Sequence, residues 1–394
     1  MQVATVVAFS IMGDSLLYGI LPLAAGTLAL SPEQVGLLLS ANRLVRLFSN
    51  TWISTLFARF GPRGPFLAAT LLGTLTTLVY GLNWGFAVFV AARLGWGIAW
   101  SSLRQGGYQA VWTGGPTRTG RLMGLLWGVI RLGSAISVLI GGYFFDRFGY
   151  QSTALIITGL TVLAIPIALT VRWPAAAHVQ SKSGAGWQGF MDGWRAAMQD
   201  SVQREMVLIG AIKPFFDAIL VATASLFLAD QLQGDNPIGL GVGMVAGAVL
   251  ATRWLSDLAV GPLVGAVADR FGQLLVAGTL LTLLLAALTL ALMLDGWLAP
   301  LAFLFVLVLS TGVNVTLDAA ANQVALRAPS PPHFIGVYAT LSDGGSAMGP
   351  LLALPLVAQF GFAPVYLVPG LVFLVAVWHF GWKVGRDPQA VQAT

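Results

Sequence analysis

Twelve long apolar runs follow one another along the chain, and they limit the possible folds more than any other feature. They lie at residues 4–26, 33–58, 65–84, 86–112, 120–144, 151–172, 205–229, 240–267, 273–294, 298–325, 334–357 and 363–382. Each run is near or above the ~20 residues that a helix needs to cross the hydrocarbon core of a bilayer. Only 9% of the residues are charged, against about 25% in soluble domains. The pattern predicts an all-α membrane protein with twelve transmembrane helices.

Basic residues outside the apolar runs are distributed unevenly between alternate loops, and such residues collect in loops that stay cytoplasmic. If the amino terminus is inside, the outer loops hold only Arg147. The predicted cytoplasmic set is Arg59, Arg63, Arg118, Arg121, Arg172, Lys182, Arg195, Arg204, Arg270, Arg327, Lys383 and Arg386. This distribution predicts a multi-pass protein of the inner (plasma) membrane with both termini cytoplasmic. The net charge of +5 therefore reflects topology, and a nucleic-acid partner is not needed to explain it.

One long polar stretch, residues 173–204, interrupts the apolar runs and divides them six and six. We therefore expect a bundle over 1–172, a cytoplasmic linker over 173–204 and a second bundle over 205–394. Within the linker, residues 187–200 have the pattern of a short amphipathic helix. Its apolar side chains, expected in the membrane interface, are Trp187, Phe190, Met191 and Trp194. Such a segment is normally a connector, with regulatory docking as the alternative.

The two halves share short sequences at nearly constant spacing, which indicates an internal duplication. Arg59-Phe60-Gly61 recurs 211 residues later as Arg270-Phe271-Gly272. Gly133-Ser134-Ala135 recurs 212 residues later as Gly345-Ser346-Ala347. A weaker match, Gln109 with Gln323 at a spacing of 214, links the fourth run to the tenth, and Asp14 with Asp217 links the first run to the seventh. The duplication predicts two pseudo-symmetric six-helix bundles.

The loop after the eighth run contains the complete G-x-x-x-D-R-x-G signature of the major facilitator superfamily, from Gly265 through Asp269 and Arg270 to Gly272. The first-half loop keeps Arg59 and Gly61 of this signature, but Ser54 and Ala58 stand at its glycine and aspartate positions. In the fourth run, Arg93-Leu94-Gly95-Trp96-Gly97 is similar to the R-x-x-x-G signature of the same family. The chain therefore resembles this superfamily over nearly its whole length.

The first run, from Asp14 to Pro22, looks like the opening helix of the twelve-helix drug:proton antiporter branch. That branch usually has G-P-x-x-G-G in its fifth helix, where this chain has Ser137 to Gly142. The resemblance implies a monomeric transporter without a cofactor. It also implies a gating role for Arg59, Arg93, Gly97, Gly265, Asp269, Arg270 and Gly272. Helix capping and membrane anchoring are the alternative for Asp269 and Arg270, and snorkelling or a local structural tie is the alternative for Arg93.

Charged side chains inside the apolar runs are expected to be functional, because each costs at least ~2.5 kcal/mol at the bilayer centre. They are Asp14, Arg43, Arg46, Arg93, Arg104, Arg131, Lys213, Asp217, Arg253, Asp257, Asp318 and Asp343. At three mirrored sites the first half has arginine where the second half has aspartate: Arg46 with Asp257, Arg104 with Asp318, and Arg131 with Asp343. Such pairs predict either latches, meaning ion pairs that hold the halves together and break during transport, or a charged lining for the substrate. Static pairs that set helix register are the alternative.

Helical spacing places further polar and aromatic residues beside these charges. Asn314, Asp318 and Asn322 recur every four residues on one helix face. Trp100, Arg104 and Tyr108 form the corresponding stripe of the first half. We expect both stripes to contribute to substrate binding or proton coupling, although ordinary packing is the alternative for the tryptophans.

These features predict a secondary active transporter that works by alternating access. The expected activity is proton-coupled export of a small amphiphilic or zwitterionic compound, with one of the five embedded aspartates carrying the proton. Proton-coupled or facilitated uptake of an organic anion or metabolite is the alternative. A membrane sensor or enzyme would need a large soluble domain or a catalytic set, and neither is visible in the sequence.

Several other kinds of chemistry are excluded by the sequence. The chain has no cysteine, so it has neither disulfide bonds nor a thiolate site. It also lacks a G-x-x-x-x-G-K-[ST] loop for ATP. Its three histidines, His178, His333 and His379, are far apart in sequence. We therefore expect no metal and no cofactor, and the expected partners are a small-molecule substrate, protons and the lipid bilayer.

Overall fold

The computed structural model describes residues 1–112, 119–173, 187–232 and 239–386. Within these ranges the chain forms helices joined by short turns, and it contains no strand. The helices are α1 (Gln2–Ser10), α2 (Met12–Ala24), α3 (Pro32–Phe60), α4 (Arg63–Leu82), α5 (Phe86–Trp112), α6 (Thr119–Val162), α7 (Ala164–Thr170), α8 (Trp187–Gln199), α9 (Ser201–Gln231), α10 (Val242–Phe271), α11 (Gln273–Met293), α12 (Leu298–Arg327), α13 (Pro331–Phe360) and α14 (Phe362–Arg386).

These helices make the twelve predicted crossings. α1 and α2 form one crossing, because Ile11 between them keeps a helical backbone. α6 is bent at Gly149, so it makes two crossings, the second of which continues into α7. Of the described residues, nine helical stretches are long and apolar enough to span a membrane by those criteria alone. α3 and α13 do not meet these criteria, because α3 contains Arg43 and Arg46, α13 contains Asp343, and both helices contain small polar residues.

The crossings pack as two bundles, which confirms the predicted fold class. α6 packs along α10, and α3 packs along α13. These two antiparallel pairs form most of the contact between the bundles. The residue limits 1–172 and 205–394 stay predictions. Because the number of crossings is even, Gln2 and Arg386 lie on the same side, which we call the terminal face. The other side is the opposite face.

Four glycines end the second, fifth, eighth and eleventh crossings with the same unusual backbone. Gly61, Gly149, Gly272 and Gly361 have φ angles of 71°, 73°, 93° and 76°. Backbone with positive φ and extended ψ is accessible essentially only to glycine. The last glycine of the G-x-x-x-D-R-x-G signature is therefore required by the turn. The same turn thus recurs every three crossings, twice in each bundle.

α8 occupies the linker segment that was predicted to be an amphipathic helix, and it packs against α13 and α9. Gly193 lies so close to α13 that an added β-carbon would be 2.9 Å from the β-carbon of His333. Trp194 is partly buried against the protein core. Part of the Trp194 side chain therefore contacts protein, and its place in the membrane interface stays a prediction. The side chains of Trp187 and Phe190 lie outside the described residues, as does the linker from 174 to 186.

Candidate functional site

A polar cavity of about 260 Å³ lies between the two bundles, near the middle of the crossings. Its size is slightly below the ~300–1,000 Å³ of pockets for drug-sized ligands, so it fits a small solute. The lining residues are Ile11, Asp14, Ser15, Tyr18, Asn42, Arg43, Arg46, Trp100, Arg104, Trp127, Arg131, Ser134, Trp254, Asp343 and Ser346. Seven of the predicted site residues are therefore brought together: Asp14, Arg43, Arg46, Trp100, Arg104, Arg131 and Asp343.

Helical spacing explains how the first bundle builds most of this wall. Trp100 and Arg104 are four residues apart on α5, as are Trp127 and Arg131 on α6, so each pair lies on one helix face. The Arg131 guanidinium lies over the Trp127 ring, 5.8 Å from its centroid. Aromatic and cationic groups thus alternate along the wall. Tyr108 does not line the cavity, and it packs behind Trp127 at 6.4 Å between ring centroids.

Two ion pairs connect the bundles beside the cavity. Arg131 Nε lies 2.8 Å from Asp257 Oδ2, and Arg46 Nη2 lies 3.2 Å from Asp343 Oδ1. Arg43 adds a third contact between the bundles, because its Nη1 donates to the Ser346 carbonyl oxygen at 2.7 Å. Ion pairs between the halves were predicted, but the partners are exchanged. Arg46 mirrors Asp257 and Arg131 mirrors Asp343. No residue binds its own mirror position, because Arg46 binds Asp343 and Arg131 binds Asp257.

Arg104 and Asp318, the third mirrored pair, do not meet. Asp318 Oδ1 lies 2.5 Å from Lys213 Nζ and accepts a hydrogen bond from the Tyr338 hydroxyl at 2.9 Å. Arg104 makes no hydrogen bond or ion pair with any described residue. The predicted latch between Arg104 and Asp318 is not formed in this structure, because Asp318 is held within the second bundle.

A buried network in the second bundle supports one of the two connecting ion pairs. Arg253 Nη2 donates to both carboxylate oxygens of Asp217 at 3.2 Å, and its Nη1 donates to Asp257 at 2.9 Å. Ser310 and Asn314 also donate to Asp217. Asp257 therefore joins this network to Arg131 of the other bundle. Asp217, Arg253 and Asn314 lie behind the cavity wall and do not line it, and Asn322 is exposed.

Arg93 is fully buried and joins three crossings of the first bundle. Its Nη1 lies 2.5 Å from Asp14 Oδ1, and its Nε donates to the Leu38 carbonyl oxygen at 2.7 Å. Asn42 donates to the same Asp14 oxygen at 3.0 Å. Snorkelling towards the membrane surface is therefore wrong for Arg93. Gly97 lies one turn further on, where a β-carbon would be 2.3 Å from the Asn42 carbonyl oxygen, so it permits α5 to approach α3 closely.

On the opposite face, α6 and α10 are in tight contact. A β-carbon at Gly142 would lie 2.1 Å from the Gly243 carbonyl oxygen, and one at Gly247 would lie 2.2 Å from the Val138 carbonyl oxygen. On the terminal-face half of the same two helices, Gly124 and Gly265 have no atom within 4 Å of such a β-carbon. The bundles are therefore closed together at the opposite face and separated at the terminal face.

Asp146, which the sequence analysis did not select, completes the closed end. Its two carboxylate oxygens accept hydrogen bonds from the backbone nitrogens of Gly243 at 2.9 Å and Met244 at 2.8 Å. These are free amides in the first turn of α10, so Asp146 caps a helix of the other bundle. A signal was present in the sequence, because Gly142 to Gly149 is a second complete G-x-x-x-D-R-x-G match.

The predicted gating residues of the terminal face make few contacts. Asp269 is exposed and makes no hydrogen bond or ion pair with the described residues. Arg59 and Arg270 lie over the adjacent rings of Phe60 and Phe271, 5.2 and 5.4 Å from the ring centroids. Within the described ranges, no group of three or more histidine and carboxylate side chains could hold a metal ion.

Comparison with known proteins relates this architecture to membrane transporters. The sequence profile of the Major Facilitator Superfamily matches residues 3–329. The chromaffin granule amine transporter of Rattus norvegicus is 28% identical over 154 residues, which are 38% of this chain and 29% of that protein. The synaptic vesicular amine transporter of Homo sapiens is also 28% identical over 154 residues, or 30% of its length. The chain thus matches under a third of the length of these relatives.

Solved structures resemble the chain over nearly its whole length. The nucleoside transporter NupG superimposes with a TM-score of 0.78 at 11% identity, covering 98% of this chain and 100% of that one. A POT family transporter in complex with a thioalcohol-conjugated peptide gives a TM-score of 0.74 at 14% identity, covering 99% and 95%. At these identities the likeness shows the fold alone.

Proposed function

The chain belongs to the Major Facilitator Superfamily of transporters, and on that premise we propose that it exports a small amphiphilic or zwitterionic solute by proton-coupled alternating access. The observation that carries this proposal is the unequal closure of the α6–α10 interface. Asp146 and the close glycine contacts join the bundles at the opposite face, whereas Gly124 and Gly265 stand apart at the terminal face. A transporter with one central site needs both this arrangement and its reverse.

The terminal face is cytoplasmic in this proposal, because its loops carry nearly all of the loop arginines and lysines. The structure then corresponds to a state in which solute reaches the cavity from the cytoplasm. Export as the direction is supported by the likeness of the first crossing to the drug:proton antiporter branch. Uptake of an organic anion is the second candidate, favoured by the four arginines of the cavity wall.

Asp318 is the embedded carboxylate best suited to carry the proton. Its side chain is 54% exposed, and its ion-pair partner is Lys213 rather than an arginine. Asp14, Asp217, Asp257 and Asp343 each have an arginine partner and are at most 23% exposed. A carboxylate that water reaches, and that is paired with a flexible lysine rather than with the rigid guanidinium of an arginine, exchanges its proton most readily.

Alternating access can be tested by disulfide crosslinking, since the chain has no cysteine of its own. One variant carries Asp146→Cys with Met244→Cys at the opposite face, and the other carries Gly124→Cys with Gly265→Cys at the terminal face. The first pair should crosslink at once in the resting protein. The second should crosslink only slowly, as the protein visits the reverse state. Immediate crosslinking of both pairs, or permanent absence of the second crosslink, would contradict alternating access.

Proton coupling can be tested in proteoliposomes with an imposed pH gradient, screened against cationic dyes, amino acids and organic acids. Solute accumulation driven by the gradient should disappear in Asp318→Asn, whereas exchange of solute at equal pH should remain. Asp295→Asn is the matched control, because it removes an exposed carboxylate in the turn between α11 and α12 that has no partner among the described residues. Gradient-driven accumulation that survives in Asp318→Asn would assign the proton to another group.

A further inference from the structure

The charges around the cavity do not balance. Four arginines and two aspartates line it. Both aspartates already have an arginine partner, Asp14 with Arg93 and Asp343 with Arg46. Arg131 is matched by Asp257 outside the lining. Among the described residues, Arg43 and Arg104 remain without a carboxylate, so this part of the chain leaves two positive charges uncompensated at the cavity.

The two remaining arginines differ in how far the protein satisfies them. Arg43 donates to the Ser346 carbonyl oxygen and lies over the Tyr18 ring, 5.2 Å from its centroid. Arg104 is partly buried and makes no hydrogen bond or ion pair within the described ranges. A guanidinium at membrane depth without a counter-charge is costly. A residue of this kind lowers the stability of the empty protein and is useful only if something else supplies the negative charge.

We propose that Arg104, assisted by Arg43, binds a carboxylate of the transported solute, and that the cavity tryptophans hold an aromatic or similarly planar body. The inference rests on the proposed function, because it takes the cavity as the substrate site. The guanidinium presents parallel N–H donors that match the two oxygens of a carboxylate. The solute's own charge thus completes the set of ion pairs that the cavity leaves unfinished.

The aromatic part of the subsite lies beside Arg104. Trp100 is one turn away on α5, and its ring centroid is 6.4 Å from that of Trp127. Trp254 lines the cavity from the second bundle. Tryptophan faces favour flat rings and apolar surface. Together with the volume of about 260 Å³, this wall selects a small aryl carboxylate rather than a large drug-like amphiphile.

The same charges disfavour an organic amine, although amines are named for the two relatives above. A solute ammonium would meet Arg43 and Arg104 unopposed, while Asp14 and Asp343 are already occupied by arginines. Like charges brought together in a partly desolvated site cost several kcal/mol. Comparing the binding of a carboxylate and an amine built on the same ring therefore tests directly which charge the cavity prefers.

Equilibrium binding to the purified protein in detergent tests the proposal with three probes of one skeleton: phenylacetate, phenylacetamide and phenethylamine. Phenylacetate should bind at least about tenfold more tightly than the other two. Arg104→Gln should abolish that preference, and Arg43→Gln should weaken it less. Arg147→Gln is the matched control, because it removes an exposed arginine outside the cavity. The melting temperature of empty Arg104→Gln should be unchanged or raised, which distinguishes a binding residue from a structural ion.

Preferential binding of phenethylamine, equal binding of all three probes, or binding of none would overturn the proposal. So would phenylacetate binding that survives in Arg104→Gln. These measurements are made at equilibrium and need no transport. If the binding assay fails while the two crosslinks behave as expected, the carboxylate subsite is refuted and alternating access still stands. If binding is as expected while the crosslinks are not, only alternating access is refuted.

Discussion

The two helix pairs that join the bundles, α6–α10 and α3–α13, are related by the internal duplication but close in different ways. α6 and α10 each end in a complete G-x-x-x-D-R-x-G signature, with Asp146 at the opposite face and Asp269 at the terminal face. α3 and α13 have Ala58 and Ala358 at the corresponding positions. At the aspartate position of this signature, a carboxylate is thus present in only one of the two interfaces.

Helix capping explains why only α10 needs such a carboxylate. α3 begins with its own capping box, in which Ser31 and Gln34 satisfy each other's backbone amides. The N-cap residue of α10 is Gly241, which has no side chain that could cap the helix. Its free amides are bound by Asp146 from the other bundle. The start of α3 is therefore capped within its own bundle, whereas the start of α10 is capped by a residue of the other bundle.

The ion pair at the α6–α10 interface also has more partners than the one at the α3–α13 interface. Its removal should have the largest effect on the free energy of unfolding. Asp257 is bound by Arg131 and Arg253, whereas Asp343 is bound by Arg46 and more weakly by Asn50. Asp257→Ala should therefore lower the free energy of unfolding by about 3–5 kcal/mol, as expected when one partner of a buried ion pair is removed. Thermal unfolding in detergent measures this. Asp343→Ala is the comparison, and an equal or larger loss there would reverse the ranking.

Removing the cap between the bundles should shift the conformational equilibrium. Asp146→Ala removes about 1 kcal/mol of capping energy that exists only in the closed opposite face, so the reverse state should gain roughly fivefold in population. Spin labels on Trp84→Cys and Met293→Cys, two exposed residues of the opposite face on different bundles, report the distance distribution. Ser31→Ala is the matched control, because it removes a cap within one bundle. An equal shift in the distance distribution of both variants would contradict the distinction between a cap that joins the bundles and a cap within one bundle.

A side chain at Gly241 should reproduce the loss of Asp146. An added β-carbon would lie 2.1 Å from the Asp146 carboxylate, so Gly241→Ala should displace the carboxylate from α10. We expect a population shift similar to or slightly smaller than that of Asp146→Ala, measured with the same spin labels. The double variant should show little further shift, because both changes break one contact. Additive shifts would mean that the two residues act separately.

The smallest effect is expected at Asp269. Asp269→Asn should change the melting temperature of this state by an amount corresponding to less than ~0.5 kcal/mol, because the carboxylate is exposed and meets no partner in the described parts of the chain. By the symmetry of the antiparallel pair, Asp269 is expected to cap the start of α6 when the terminal face closes. The variant should therefore slow crosslinking of Gly124→Cys with Gly265→Cys. Unchanged crosslinking would leave Asp269 without a gating role.

The crossings and the duplication could be predicted because apolar length and repeated short sequences are local properties of the chain. The partners of the embedded charges could not be predicted in the same way. Repeat spacing identifies positions of similar depth, such as Arg46 and Asp257, but contact is decided by which helices are neighbours. α3 adjoins α13, so Arg46 meets Asp343. Asp318 fails to meet Arg104 because Lys213 and Tyr338 are nearer to it.

Asp146 was not predicted as a functional residue, for a different reason. Its signature is present from Gly142 to Gly149, but depth in the membrane marks a charge as functional only well inside an apolar run. Asp146 lies just beyond the run 120–144, where a carboxylate costs little and is usually uninformative. Its importance comes from the start of α10, a helix almost a hundred residues further along. No local pattern indicates that the amides of Gly243 and Met244 would need a distant acceptor.

The signs of the connecting ion pairs also bear on how the chain assembles. The first bundle presents Arg46 and Arg131 to its partner, and the second presents Asp257 and Asp343. A bundle meeting a second copy of itself would therefore place like charges together, which is unfavourable in a desolvated contact. Two duplicated and structurally similar bundles thus remain chemically distinct as binding partners. During biosynthesis, this difference would direct each newly inserted first half towards its own second half rather than towards the first half of a neighbouring chain.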